Sequence, residues 1–128
     1  MNRKETKKKL IEIGISPCFL DDNMYWDMSN ELLLGIDLSG ADLTAVKLQG
    51  SNLQDTNLQG VIFKNADLRR AHLSWANLLD ADFEGATLVE VEITTYQLAQ
   101  AKNLEHAYLD PGRYADAVAY GYKPEKKE

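Results

Sequence analysis

The sequence predicts an all-β solenoid, a coil of short extended segments that turns a corner every fifth residue. Three observations carry this. Large apolar residues recur at intervals of five from Leu33 to Leu98, small or β-branched residues stand two places before nearly all of them, and glycines collect two places after. Within "ADLRRAHLSWANLLDADFEG", residues 66–85, the apolar series is Leu68, Leu73, Leu78 and Phe83. On an α-helix, residues five apart land roughly 140° apart around the axis, so no stripe forms. On a straight strand they point to opposite faces. The period makes sense only if the backbone bends once per unit, so that each central residue faces a common axis.

Taken in chain order, the first element is a short helix over about residues 5–13. Gly14 stops it, with Ile15 placed against Leu10 in a Schellman-type ending. In "SPCFL", Ser16 is an N-cap and Pro17 a first helical residue. A second short helix or turn there delivers Phe19, Leu20, Tyr25 and Trp26 onto the first coil.

The repeat follows. Fourteen consecutive units, centred on Leu33 through Leu98 at steps of five, place a large apolar residue at the centre. The position two before is small or β-branched except at Glu31 and Tyr96. These two positions share a face of an extended segment and fill the interior. The other three are mostly polar and face solvent. Gly35, Gly40, Gly50, Gly60 and Gly85 occupy the last position of a unit, where a corner calls for φ > 0.

Residues one coil apart stack at roughly 4.8 Å, so like charges one coil apart are penalised. A lag of 20 brings together Lys47 with Asp67, Lys64 with Glu84 and Arg70 with Glu90, and stacks Phe63 on Phe83. A lag of 15 sets Asp67 on Asp82. Because a lag of 15 also gives two opposite pairs, Asp55 with Arg70 and Arg69 with Glu84, four sides fit only slightly better than three.

After Leu98 the period slips, since Leu104 and Leu109 are one residue out of phase, and the regular coil stops or bulges. In "DPGRYADAVAYGY", Asp110 and Pro111 start a helix that ends before Gly121, with Tyr114 and Val118 on one side. The expected organisation is one structural domain. It consists of an N-terminal helical cap over 1–30, the repeat over 31–100, and a C-terminal cap helix with a polar tail over 101–128.

The units "ADLTA", "ADLRR", "AHLSW", "ANLLD" and "ADFEG" resemble the A(D/N)LXX units of pentapeptide-repeat proteins. The resemblance covers about residues 31–100. It implies a right-handed quadrilateral parallel β-helix with four units per coil, here about three and a half coils between helical caps.

The chain has 128 residues, of which 45% are hydrophobic, and its net charge is -6. It is long enough for a core without disulfides or metals. The single cysteine, Cys18, precludes an internal disulfide and fits a reducing compartment, so a cytoplasmic location is expected. Its setting beside Pro17 and Phe19 reads as a packed, inert thiol. There is no secretory signal and no run long enough to span a membrane. The acidity argues against direct binding of nucleic acid or anionic lipid.

No nucleophile and base pair, phosphate-binding loop, metal-ligand spacing or cofactor motif is present, so neither catalysis nor a cofactor is expected. His72 occupies an outward position one coil from Glu92 and reads as a surface pair.

All of the net charge lies in the repeat, where ten acids face four bases, while residues 1–30 and 101–128 each carry five of either sign. The expected function is a rigid, non-enzymatic module for binding another protein. The family resemblance adds an alternative, because some members are acidic rods that dimerise through a C-terminal helix and occupy the DNA site of gyrase. In that reading Asp37, Asp42, Asp55, Asp80, Asp82 and Glu92 stand in for phosphates, and the target is gyrase, another topoisomerase or a defence nuclease. Trp75, Ile62, Leu79 and Val89 are nominally outward. Together with Trp75, the tyrosines Tyr108, Tyr114, Tyr120 and Tyr122 are candidates for an aromatic or homodimer contact. The competing explanation, that those tyrosines cap the last coil, is the simpler one.

Overall fold

A computed structural model describes residues 1–22 and 25–125; the end of the expected polar tail, 126–128, lies outside the described residues. The element that repeats is a corner. Every fifth residue from Asn30 to Glu90 has φ between 56° and 69°. The carbonyl of each central residue from Leu38 to Phe83 accepts the N–H three places on, as in Ala41 to Leu38 at 3.0 Å and Ala76 to Leu73 at 3.1 Å. A four-residue turn whose third residue has positive φ is the type II pattern. Five of the thirteen corners are glycine, as the sequence suggests, and eight carry a side chain.

The second residue of the unit supports the turn. Asp27, Asp37, Asp42, Asn52, Asn57, Asp67, Asn77 and Asp82 each accept, on Oδ1, the backbone N–H two residues on, at 3.0–3.2 Å. These Asx turns give the Asp/Asn of the motif a structural duty.

Between corners, each short segment pairs with the one twenty residues along. Successive parallel bridges run from Asp27 to Lys47 to Asp67, from Leu32 to Asn52 to His72 to Glu92, from Asp37 to Asn57 to Asn77, and from Asp42 to Ile62 to Asp82 to Lys102. One turn of the chain therefore takes four five-residue sides. We call side A the one containing Leu53 and Leu73, side B that of Leu58 and Leu78, side C that of Phe63 and Phe83, and side D that of Leu48 and Leu68.

Inside, the central residues from Leu33 to Leu88 and Leu98 are at most 2% exposed; Ile93 is half-buried. Phe63 and Phe83 stack with centroids 5.5 Å apart and rings 1° from parallel. The buried hydroxyls of Ser51 and Thr56 donate to the carbonyls of Met28 and Leu53, so these two polar side chains inside are satisfied.

The ladder reaches past the expected 31–100 stretch at both ends. Residues 26–30 form a unit, with Trp26 and Met28 fully buried and the Met28 N–H bonded to the Lys47 carbonyl at 2.7 Å. Its residues lie outside the leucine and alanine alphabet, which hid it. Beyond Leu98, the Asp80 N–H bonds to the Gln100 carbonyl and Lys102 bridges Asp82, still twenty apart. Asn103 then takes a left-handed conformation before a 3₁₀ turn, Leu104–His106. The next pair, β1 (Thr87–Leu88) with β2 (Tyr108–Leu109), is parallel at a lag of 21. The slipped period is a one-residue bulge, and pairing continues through it.

At the start, α1 (Arg3–Glu12) is capped by Asn2, whose side chain accepts the Glu5 N–H. The Ile15 N–H returns to the Leu10 carbonyl at 3.0 Å across Gly14, the expected Schellman ending. The buried Thr6 hydroxyl accepts the Asp42 N–H at 2.9 Å, Arg3 donates to the Asp42 carbonyl, and the terminal ammonium donates to the Gly40 carbonyl. These bonds satisfy edge groups of the first coil. The Arg3 guanidinium lies 3.5 Å over the Trp26 ring; partial burial lowers its pKa. A 3₁₀ turn, Pro17–Phe19, follows, but Ser16 makes no capping bond. Leu20 and Trp26 are buried as expected, whereas Phe19 and Tyr25 are exposed. Cys18 is also exposed, with Sγ 3.0 Å from the Ser16 Oγ, which corrects the packed-thiol reading.

At the far end, α2 (Thr95–Ala99) replaces a corner. Thr94 and Gln97 form a capping box, and the buried Gln97 amide donates to the carbonyls of Leu73 and Ala76. The helix turns Tyr96, expected inside, out to solvent. The last helix, α3 (Arg113–Tyr120), packs on α2. It presents Tyr114 and the buried Ala117 inward; Val118, expected beside Tyr114, is 40% exposed.

Candidate interaction surfaces

A filled interior leaves recognition to the outward side chains. Among the described residues no group of histidine, cysteine or acidic side chains has the arrangement to hold a metal ion. No helix there is long and apolar enough to cross a membrane.

The six candidate acids are dispersed around the coil. Asp37 lies on side B. Asp42 and Asp82 share side C, with Ile62 bridging between them. Glu92 lies on side A, Asp55 at the corner between A and B, and Asp80 at the corner between B and C. Most are already engaged. The N–H of Ser39 bonds to Asp37 and lowers its pKa. Asp42 accepts the Thr44 hydroxyl at 2.6 Å and stands 4.0 Å from Arg3. Asp82 accepts the Asn103 amide at 2.8 Å, and Glu92 pairs with His72 Nδ1 at 2.8 Å, the surface pair read from the sequence. Asp55 and Asp80 sit at left-handed corners and make no side-chain bond among the described residues.

Side D is nearly balanced in charge, since Asp27 joins Asp67 and Glu90 against Lys47, Arg69 and Arg70. The carboxylate of Asp67 does not turn to Lys47 one coil away. It receives a two-point bond from Arg69, at 3.0 and 2.8 Å, and the Gln49 amide. Chiefly through Arg69, its pKa falls to about 2.

The aromatic candidates divide. Tyr122 is buried; its hydroxyl donates to Glu105 at 2.7 Å and accepts the Leu104 N–H at 3.0 Å. Burial, with the Glu105 carboxylate next in size, raises its pKa well above the usual phenol value. Tyr114 packs edge-on against it at 6.1 Å. These two face the last coil. Tyr108 is 67% exposed on side D and Tyr120 is 60% exposed on α3. Trp75 is 84% exposed at the corner between sides A and B, with φ of 64°.

The structure adds Tyr96, 57% exposed and edge-on to Tyr120 at 6.1 Å. Its signal in the sequence was the Thr94-x-x-Gln97 box, which marks a helix where the repeat alone suggests a corner. Trp75 and Tyr96 line one open groove of about 380 Å³ with Ser74, Ala76, Thr94 and Gln97. Of the other outward apolar residues, Leu79 is 40% exposed, and Ile62 and Val89 are half-buried.

A parallel coil with twenty residues per turn, a corner every five and an Asx turn on each side defines a β-solenoid built from five-residue units. The family model described as pentapeptide repeats matches this chain in eight copies, over residues 36–74 and 66–94, so this stretch is built of pentapeptide repeats. No curated protein matches the sequence significantly.

Among solved structures, that of QnrB1, described as a plasmid-mediated fluoroquinolone resistance protein, superimposes with a TM-score of 0.62 at 15% identity. The match covers 84% of this chain and 51% of that one. A pentapeptide-repeat protein from the Arabidopsis thaliana thylakoid lumen is 33% identical over 63% of this chain and 48% of its own, with a TM-score of 0.42. HetL, a pentapeptide-repeat protein involved in heterocyst differentiation regulation in the cyanobacterium Nostoc, is 25% identical over 65% of this chain and 42% of its own, with a TM-score of 0.43. The chain spans about half the length of the first two. The family and the QnrB1 superposition imply the right-handed quadrilateral β-helix, a fold of generally non-enzymatic structural and interaction proteins.

Proposed function

We propose that the protein is a cytoplasmic, non-enzymatic interaction module that presents a rigid lattice of outward side chains to a partner protein. The observation that carries this reading is Trp75. It is 84% exposed, and it holds a left-handed backbone that glycine adopts at five other corners. That conformation costs a side-chain-bearing residue about 1 to 2 kcal/mol. Internal packing gives this tryptophan almost nothing in return, and large exposed aromatics are characteristic of binding hot spots.

The two flanking segments act as caps on the coil stack, the simpler of the two explanations for Tyr114 and Tyr122. Truncation after Leu109 therefore exposes the last coil and causes association, measured by analytical ultracentrifugation; a soluble, equally stable monomer refutes the cap role. The acids of the DNA-mimic reading are spread over three sides and two corners, and most are bonded within the chain, which weakens that alternative.

Affinity capture from host lysate tests the interaction reading directly, with wild-type protein compared against Trp75→Gly. A partner retained by wild type and lost from the variant is expected. Identical recovery by both overturns the assignment of the binding surface to Trp75.

A further inference from the structure

The groove beside Trp75 has a chemistry that selects among protein partners. It is bordered by three exposed rings: Trp75, Tyr96, and Tyr120, which meets Tyr96 edge-on. The charges beside them are predominantly negative. Asp55 is one coil below Trp75, its N–H bonded to the Ser74 carbonyl at 3.1 Å, and its carboxylate has no partner among the described residues. Asp116 is exposed one helical turn before Tyr120, on the same face of α3, and is likewise unpaired. Glu92 contributes a third carboxylate, shared with His72.

Side A bears no lysine or arginine among its outward residues from Leu32 to Thr95. Arg113, on α3, is committed to the Ile93 carbonyl through Nη2. Arg70 stands at the opposite corner of side A from Trp75.

From this charge complementarity we infer that the groove receives an arginine-bearing extended segment of a partner protein, its guanidinium groups lying on Trp75 and Tyr96 with Asp55 and Asp116 as counter-charges. The inference rests on the interaction-module reading and specifies its partner. A guanidinium stacks on an aromatic face and bonds to carboxylates at its edge, and Trp75, Asp55 and Asp116 offer both kinds of group with no internal partner among the described residues. Unpaired carboxylates near the rings disfavour an acidic segment, and a neutral one leaves them unused.

The test is fluorescence anisotropy with labelled short peptides that alternate glycine with arginine, glutamine or glutamate, titrated with the whole protein. The arginine peptide is expected to bind saturably and to weaken with added salt. Trp75→Gly lowers its affinity at least about fivefold and Asp55→Asn about two- to fourfold. Thermal melts establish that both variants remain folded. Equal binding of the glutamine peptide, binding of the glutamate peptide, or arginine-peptide binding unaffected by Trp75→Gly overturns the inference. So does absence of arginine-peptide binding. If that absence accompanies a Trp75-dependent partner in lysate capture, the partner chemistry fails and the module reading stands. If capture is also independent of Trp75, both fail.

Discussion

Leu78 and Leu79 are chemically identical neighbours on opposite sides of the coil wall, and replacing each by alanine gives the sharpest test of the inward assignment. Leu78 is 2% exposed in the column with Leu58 and Leu98, whereas Leu79 is 40% exposed on side B. Removing three buried carbons from Leu78 costs about 2.4 kcal/mol at about 0.8 kcal/mol each. The cavity adds about 1 to 2 kcal/mol if the surroundings hold their positions.

They do hold, because the backbone around Leu78 is clamped from both sides. Its neighbours Asn77 and Leu79 accept the N–H groups of Leu58 and Gly60 from the coil below, each at 2.9 Å, and the Asp80 N–H reaches the Gln100 carbonyl of the coil above at 2.9 Å. Leu78→Ala is therefore expected to cost about 3.5 to 4.5 kcal/mol, and Leu79→Ala less than about 0.5 kcal/mol. Urea unfolding followed by circular dichroism measures both, with an unchanged m-value as the condition for comparing them. A loss below about 0.5 kcal/mol at Leu78, or equal losses at the two sites, refutes the packing argument.

Trp75→Gly relieves a left-handed side-chain-bearing corner and gives back part of that gain as chain entropy, so stability rises by about 0.5 to 1 kcal/mol, read as a higher Tm. A lower Tm means that Trp75 packs within its own chain. The carboxyl of Asp67, followed by NMR, titrates near pH 2, and Arg69→Gln returns it toward the ordinary carboxylate range. Because folding lowers this pKa, its stabilising contribution is present above about pH 4 and is lost as pH falls toward 2. Tyr122→Phe strands the buried Leu104 N–H and costs about 1 to 3 kcal/mol in the same urea assay. Since folding raises the Tyr122 pKa, wild-type stability also declines as pH rises above the ordinary phenol range, a loss absent from the phenylalanine variant.

The coil was legible because its two dominant constraints act on single positions: a core slot at each centre and a left-handed corner two residues later. What escaped was context. Residues 26–30 adopt the repeat with Trp26 and Met28, which fit because Arg3 covers the ring and the first coil is open to larger side chains. Tyr96 sits at a formally inward position, yet the capping box of Thr94 and Gln97 stabilises a helix there and reverses its direction. Val118 is exposed because the four-residue spacing from Tyr114 passes one residue beyond Ala117, the position that meets the core. The aromatic groove joins residues from the repeat to a helix that interrupts it, so no fixed period could reveal it. The Asp and Asn of each unit read as solvent-facing until the structure showed their bonds to the next N–H but one.

The bulge at Asn103 bears on how such a chain avoids becoming a filament. A coil that ended flush would offer a second molecule an edge in step with its own first rung, and identical molecules would add end to end. Here the last pair is displaced by one residue, at a lag of 21 instead of 20. The extra residue is taken up at Asn103 and the 3₁₀ turn, so Leu109 still pairs with Leu88 and packs against the core, but the edge is interrupted there, and a bulge of this kind hinders an edge from templating a second chain. One additional residue thus roughens the edge that end-to-end growth would need, beneath the helix laid over it.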